Sequence, residues 1–282
     1  MTVISSRQNP IIQRARRVRS AAEHELIFIE GVRLAEDGVK SSLKIVDALV
    51  AESVNASQRR LRLIEELRDR NIRIHIIEPK LMGSLSEAKT SQGVILLAER
   101  PAHSQDYFVA QIKKRRLVGD DKNLLLIVLG GVGNPSNAGA IVRVAEAAGA
   151  HGVISTQGTT DLFSPRSLRG AMGSSFRLPC WTGADFTDVV AYCAQVKIRL
   201  VYSELHATVN HTAYDWKQGT ALLLGSESYG IGVDMQAVID AHTNKFTEIS
   251  IPMREPVESL NVSVACGVML YEAVRQRKLF IR

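Results

Sequence analysis

Three short stretches in the second half of the chain hold residue types that can do chemistry. The first runs Asn134-Pro135-Ser136-Asn137-Ala138-Gly139-Ala140-Ile141-Val142-Arg143. It leaves an apolar run and opens a helical one. Asn137 stands where an N-cap belongs, and Gly139 has no side chain to keep another backbone away. Arg143 follows six residues later among Ala, Val, Ile and Gly. A guanidinium buried there would need a partner, because an unpaired buried charge is very costly. Spacing alone leaves two readings open: a functional cation, or an arginine that reaches Glu146 or the surface.

The second stretch is Leu222-Leu223-Leu224-Gly225-Ser226-Glu227-Ser228-Tyr229-Gly230, an apolar run stopped by glycine and followed by a lone acid. Ligands of open α/β sheets bind at strand ends, where a glycine exposes backbone N–H and C=O groups. The plainer alternative is a tight turn using glycine for positive φ. The third stretch, Ile251-Pro252-Met253-Arg254-Glu255-Pro256-Val257-Glu258-Ser259-Leu260-Asn261-Val262-Ser263, leads into the last helix. Ser259 and Asn261 are placed to cap that helix. The loop before them is too apolar for a solvent turn and too polar for a core, a mixture suited to gripping a largely apolar ligand with a few hydrogen bonds.

The elements that must position these stretches follow from periodicity. Leu124–Leu129 is a continuous apolar run expected of a strand buried on both faces, followed by a helix over 138–148 and the strand HGVIST. A helix over 185–195, the strands IRLVYS and ALLLG, a helix from Asp234, the strand FTEISIP and a helix over 260–278 continue the pattern. The class is α/β with a mainly parallel sheet. Residues 26–98 form a second, smaller α/β layer: LIFIE, IVDALV, RIHII and GVILLA read as strands, with helical runs at 33–41, 57–70 and 79–88. Between them 101–122 loses periodicity and turns polar and basic, as a linker does. The division expected is 1–100, a linker over 101–122, and 123–282.

The net charge of +6 is local: residues 1–122 hold 22 Lys+Arg and 16 Asp+Glu, and 123–282 hold 13 of each. Arg7, Arg14, Arg16, Arg17 and Arg19 occur with no acid in the first nineteen residues, a pattern suited to a polyanion, although such runs are more often solvated helix faces. Three cysteines without C-x-x-C spacing support neither a disulfide framework nor a zinc knuckle, and no metal is expected. With no apolar signal core and no membrane-length run, a soluble cytoplasmic protein is expected.

Each stretch alone is weak, but together, in this order, they resemble the TrmH/SpoU branch of the SPOUT superfamily of RNA methyltransferases. Its motifs read N-P-x-N-x-G-x-x-x-R, L-x-x-G-x-E-x-x-G and I-P-M-x-G-x-x-x-S-L-N-V-S-V-A. Ser259–Ala265 reproduces the third without a gap. SSRQNP and FIEGVRL near the start resemble that family's RNA-binding domain of L30e-like fold. The resemblance implies a deep trefoil knot, S-adenosylmethionine as cofactor, a homodimer with active sites near the subunit interface, and RNA as substrate, ribosomal RNA ahead of transfer RNA. It implies a donor pocket built by Leu224, Gly225, Ile251, Met253 and Leu260. Arg143 becomes the catalytic cation that stabilises an alkoxide-like ribose oxygen, since a guanidinium is a poor base. Asn137, Glu227, Ser259 and Asn261 are expected to hold Arg143, ribose and donor in line. Arg7, Arg14, Arg16 and Arg17 are the expected RNA contacts. The sequence departs from the motif at Glu255, where glycine is usual.

Two rivals remain. A dehydrogenase is weak, because Ser136 replaces the third glycine of G-x-G-x-x-G and the next strand ends in Ser155-Thr156 without a ribose-binding acid. A non-catalytic RNA-binding or ribosome-assembly protein of the same fold would be expected to have lost some of the site residues, whereas Arg143, Asn137, Glu227 and the Ser259–Asn261 segment are all present.

Overall fold

The computed structural model of the 282-residue chain describes residues 2–52, 57–87, 90–118, 123–204, 207–227 and 230–277. Ala88, Lys278 and 119–122, which the sequence reading assigned to two helix ends and the linker, lie outside them, as do Ser228 and Tyr229. The chain forms two compact units. One comprises Met1–Pro101 with Phe163–Arg177, the other Ala102–Leu162 with Leu178–Arg282.

In the first unit, helix α1 (Pro10–Arg19) precedes β1 (Leu26–Glu30), α2 (Val32–Lys40), β2 (Ile45–Ala51), α3 (Gln58–Asp69), β3 (Arg73–Ile77), α4 (Pro79–Leu85) and β4 (Val94–Glu99). The sheet order is β1-β4-β2-β3, with β2 and β3 parallel and the other pairs antiparallel. Ile12, Phe28, Leu49, Ile77, Leu85 and Ile95 form its core. The basic run at the start is α1. Asn9 caps it and Pro10 opens it, so Ile12, Ala15 and Val18 face inward while the arginines line the outside.

The second unit begins with α5 (Gln105–Val118), so the stretch read as a linker is largely helix. Phe108 and Ile112 are buried in the core with Leu126, Trp181 and Val189. Phe108 and Ile112 anchor this helix, with Val109 packed beside them, and the basic residues that follow hide the 3.6-residue period. The unit continues with β5 (Leu125–Leu129), α6 (Pro135–Ala147) and β6 (Gly152–Thr156). Next come α7 (Pro165–Ala171) and α8 (Ser174–Arg177), which pack with the first unit; α7 lies against β1. There Arg169 pairs with the buried Glu30 at 3.1 Å and with Glu87 at 2.8 Å. The second unit then resumes with β7 (Cys180–Ala184), α9 (Phe186–Gln195), β8 (Arg199–Ser203), β9 (Thr220–Leu224), α10 (Val233–Ala241), β10 (Phe246–Ile249) and α11 (Val262–Arg277).

All pairs of its sheet are parallel, in the order β10-β8-β9-β5-β6-β7. The central strands β5, β6 and β9 are buried along their whole length, which explains why they read as unbroken apolar runs. Helix α11 packs on α6. The three cysteines are free and buried, and desolvation pushes each thiol up to about 12. Among the described residues no helix is long and apolar enough to cross a membrane.

Candidate active site

The carboxyl ends of β8 and β9 and the loop after β10 surround a cavity of about 490 Å³. Its walls include Leu224, Gly225, Ile251, Met253, Leu260 and Ser259, together with Glu227 and Asn261. Strand ends of a parallel sheet are where such a fold opens to ligands, because the connections diverge there. Eight of the ten residues expected at the donor and catalytic sites therefore line one cavity. Asn137 joins it through hydrogen bonds. Arg143 is not among the lining residues.

Asn137 differs from its expected role in a way that matters. Asn134, not Asn137, caps α6: its Oδ1 accepts the Ser136 N–H at 2.9 Å and Pro135 takes the first helical position. Asn137 is thereby left to bond elsewhere. Its Nδ2 donates to Glu227 Oε1, and its Oδ1 accepts from Asn261 Nδ2 at 3.2 Å. Asn261 in turn caps α11, accepting the Ser263 N–H at 3.0 Å and the Ser263 hydroxyl at 2.6 Å. One chain of side-chain hydrogen bonds thus ties the three motif loops together. Ser259, read as a second cap, lines the cavity instead.

Gly225 is glycine for a steric reason. A Cβ there would stand 2.4 Å from the Gly230 carbonyl carbon and oxygen and 2.8 Å from the Ile231 nitrogen. Ser226 and Gly230 exchange backbone hydrogen bonds at 2.8 and 2.9 Å, and Gly230 takes a φ of 57° to close that turn. Glu255, the departure from the third motif, is exposed and outside the lining, so the acid does not fill the cavity.

Arg143 is exposed on α6 and makes no hydrogen bond or ion pair among the described residues. Of the alternatives left open by spacing, a buried guanidinium with a partner is not observed and a surface position is. The small residues around it bury the opposite faces of α6, where Ala138, Ile141, Val142 and Ala145 sit, and leave position 143 to solvent.

The N-terminal arginines divide in two. Arg14 and Arg17 bond Glu23 at 2.8 and 3.2 Å, and Arg14 also approaches Asp47 at 3.6 Å. Partial burial of Glu23 raises its carboxyl, but these two guanidinium groups outweigh that and hold it below the usual range. Arg19 donates to the Ser84 and Leu85 carbonyls at the end of α4. Of the expected RNA contacts, Arg14 and Arg17 are engaged within the fold, and Arg7 and Arg16 have no side-chain partner among the described residues. Sequence reasoning assigned no role to Glu204 and Glu258, which also line the cavity. Glu204 lies outside the three stretches, and Glu258 occupies a variable position of the third.

The cavity fits S-adenosylmethionine. It offers apolar walls for an adenine, exposed backbone at Gly225, and a few polar side chains, in the size range of small-molecule sites. Comparison with known proteins agrees. The sequence profile of the SpoU rRNA Methylase family matches residues 124–271, and that of RNA 2'-O ribose methyltransferase substrate binding matches 28–104. The 23S rRNA (guanosine-2'-O-)-methyltransferase RlmB of Blochmanniella floridana is 30% identical over 257 residues, covering 90% of this chain and 96% of that one. Its Escherichia coli (strain K12) counterpart is 30% identical over 222 residues, 78% of this chain and 86% of that one. The structure of the SpoU methyltransferase AviRb from Streptomyces viridochromogenes in complex with AdoMet superposes with a TM-score of 0.80 at 26% identity, over 96% of this chain and 99% of that one. With motifs, both units and fold in agreement, this chain belongs to the SpoU family of RNA 2'-O-ribose methyltransferases.

Proposed function

We propose that this chain methylates a ribose 2'-hydroxyl of a guanosine in 23S ribosomal RNA, with S-adenosylmethionine as donor. The observation that carries this reading is the Glu227–Asn137–Asn261 hydrogen-bond chain beside the cavity. The choice of guanosine and 23S RNA rests on the full-length relatives, which bear that name.

The donor supplies an electrophilic methyl on a sulfonium. The chain's residues bind and orient. Leu224, Ile251, Met253 and Leu260 exclude water from the adenosyl body, and the backbone at Gly225 fixes its polar edge. Asn137, Glu227, Ser259 and Asn261 hold the approach of the ribose, where correct placement contributes several kcal/mol to the barrier. Arg143 stabilises the developing alkoxide, acting as a fixed cation and not as a base. Its exposure and its lack of a partner among the described residues leave it available to an incoming ribose.

The enzyme works as a homodimer in the cytoplasm, with Arg143 close to the subunit boundary. Support comes from an uncovered apolar stripe on α11, where Val264, Val268 and Tyr271 are 51%, 38% and 54% exposed at helical spacing. The trefoil knot is supported by the path of 250–261, which leaves the edge strand β10, borders the cavity and brings α11 against α6. Arg7 and Arg16 on the first unit are the RNA contacts retained.

Incubation with labelled donor and ribosomal RNA, followed by mapping of alkali-resistant linkages, tests this reading. Arg143→Ala is expected to lower methylation by at least about 100-fold with the fold intact. Near-normal methylation by that variant would remove Arg143 from its role, and donor binding without transfer to any RNA would favour the non-catalytic reading.

A further inference from the structure

The donor cavity of this basic protein is itself acidic. Glu204 at the end of β8, Glu227 after β9 and Glu258 before α11 all line it, and no Lys, Arg or His does so among the described residues. Glu227 is hydrogen-bonded by a neutral amide, which leaves its charge uncompensated.

We infer that these three carboxylates make the cavity prefer the positively charged methyl donor over its neutral-sulfur product, so that charge loss during the reaction drives product release. The inference rests on the donor-site reading above; the ligand is identified by that reading, not by the acids. In the transfer the methyl C–S bond breaks and the methyl O–C bond forms. The sulfonium electron pair returns to sulfur, and the 2'-hydroxyl proton leaves to solvent. Donor and product share the adenosine and the amino-acid zwitterion, and contacts to those parts bind both equally. Beyond one methyl group they differ by a single positive charge at sulfur. A cavity bearing three negative charges favours only the species that carries it. Contacts common to both would instead trap the product.

Each carboxylate is solvent-exposed, so its effect is that of a screened charge several ångströms away, about threefold in affinity. The preference must also weaken as salt shortens the Debye length.

Isothermal titration calorimetry of the full chain with S-adenosylmethionine and with S-adenosylhomocysteine, at about 20 mM and about 500 mM salt, tests the inference. The unsubstituted protein is expected to bind the donor about 30-fold more tightly than the product at low salt and within about threefold at high salt. Glu204→Gln and Glu258→Gln should each weaken donor binding by about threefold and leave product binding nearly unchanged, which also reports an intact fold. Glu255→Gln, which alters an acid of the same loop outside the lining, should leave the ratio alone. Equal binding of donor and product at low salt, or a ratio that neither lining substitution changes, overturns the inference while leaving the donor site standing. Failure of both ligands to bind overturns the site reading and this inference together.

Discussion

At Gly225 there is no room for even a methyl group, because the space a Cβ would take is filled by the backbone of Gly230 and Ile231. Backbone cannot rotate aside as a side chain can, so Gly225→Ala must displace the turn that borders the cavity. Overpacking of this kind typically costs about 1–3 kcal/mol. Since Leu224 through Glu227 and Gly230 all line the site, the displacement falls on ligand binding. Calorimetry should show S-adenosylmethionine binding weakened about tenfold or more in Gly225→Ala with the far-ultraviolet spectrum unchanged; unchanged affinity would mean that the turn absorbs the extra atom elsewhere. Asn137 shows the same principle for polar groups. It bonds Glu227 and Asn261 only because Asn134 has taken over the helix cap.

Among the elements, α11 carries most of the consequences. Its first turn is capped by Asn261, part of the site, and its last turn is clamped to the chain below β9. Gln276 Oε1 accepts the Trp216 N–H at 3.0 Å, and Arg277 Nε donates to the Trp216 carbonyl at 2.7 Å. Glu272 steadies that turn: Arg275 donates to it twice at 2.8 Å and Gln276 once at 2.7 Å. The Arg275 hydrogen bonds, ahead of an opposing burial effect, hold the Glu272 carboxyl down at about 2 against an ordinary 4.5. A carboxyl depressed by folding contributes stability above its unfolded value and loses it as pH falls through the folded one. Glu272→Gln is therefore expected to lower Tm at pH 7 by roughly 2–4 °C, a loss of about 1 kcal/mol given the exposure of Arg275. The gap between the two proteins should close as pH falls from 4.5 toward 2 in thermal melts. A gap that persists undiminished at pH 2 would show that the charge of Glu272 is not its source.

At the scale of the whole molecule, the outer face of α11 has no cover among the described residues. Val264, Val268 and Tyr271 expose an apolar stripe on the helix whose other faces bury Cys266, Met269 and Leu270. Sedimentation analysis is expected to give a species near twice 31.0 kDa, and Val268→Asp should shift it toward the monomer mass. A monomer at micromolar concentration without substitution would refute the dimer and the placing of Arg143 at a subunit boundary.

What could be read without a structure follows from periodicity and from motif spacing. The strands buried on both faces declared themselves as β5 and β9, and the motif loops after β9 and β10 named eight of the residues that line the cavity. Local patterns are blind to two things. They cannot tell which of two nearby asparagines caps a helix, since Asn134 and Asn137 are both suitable and only Pro135 and the bond to Glu227 decide between them. Nor can they tell which core a short helix joins: α5 was hidden by its basic residues, and α7 and α8 pack with the first unit although they fall within the second unit's sequence. Amino-acid order determined most of the strands and helices, the motifs and the family, because these depend on neighbours along the chain. Tertiary structure alone decided the hydrogen-bond chain across Asn137, the solvent position of Arg143 and the acidic lining of the cavity, because each depends on residues brought together from distant parts of the chain.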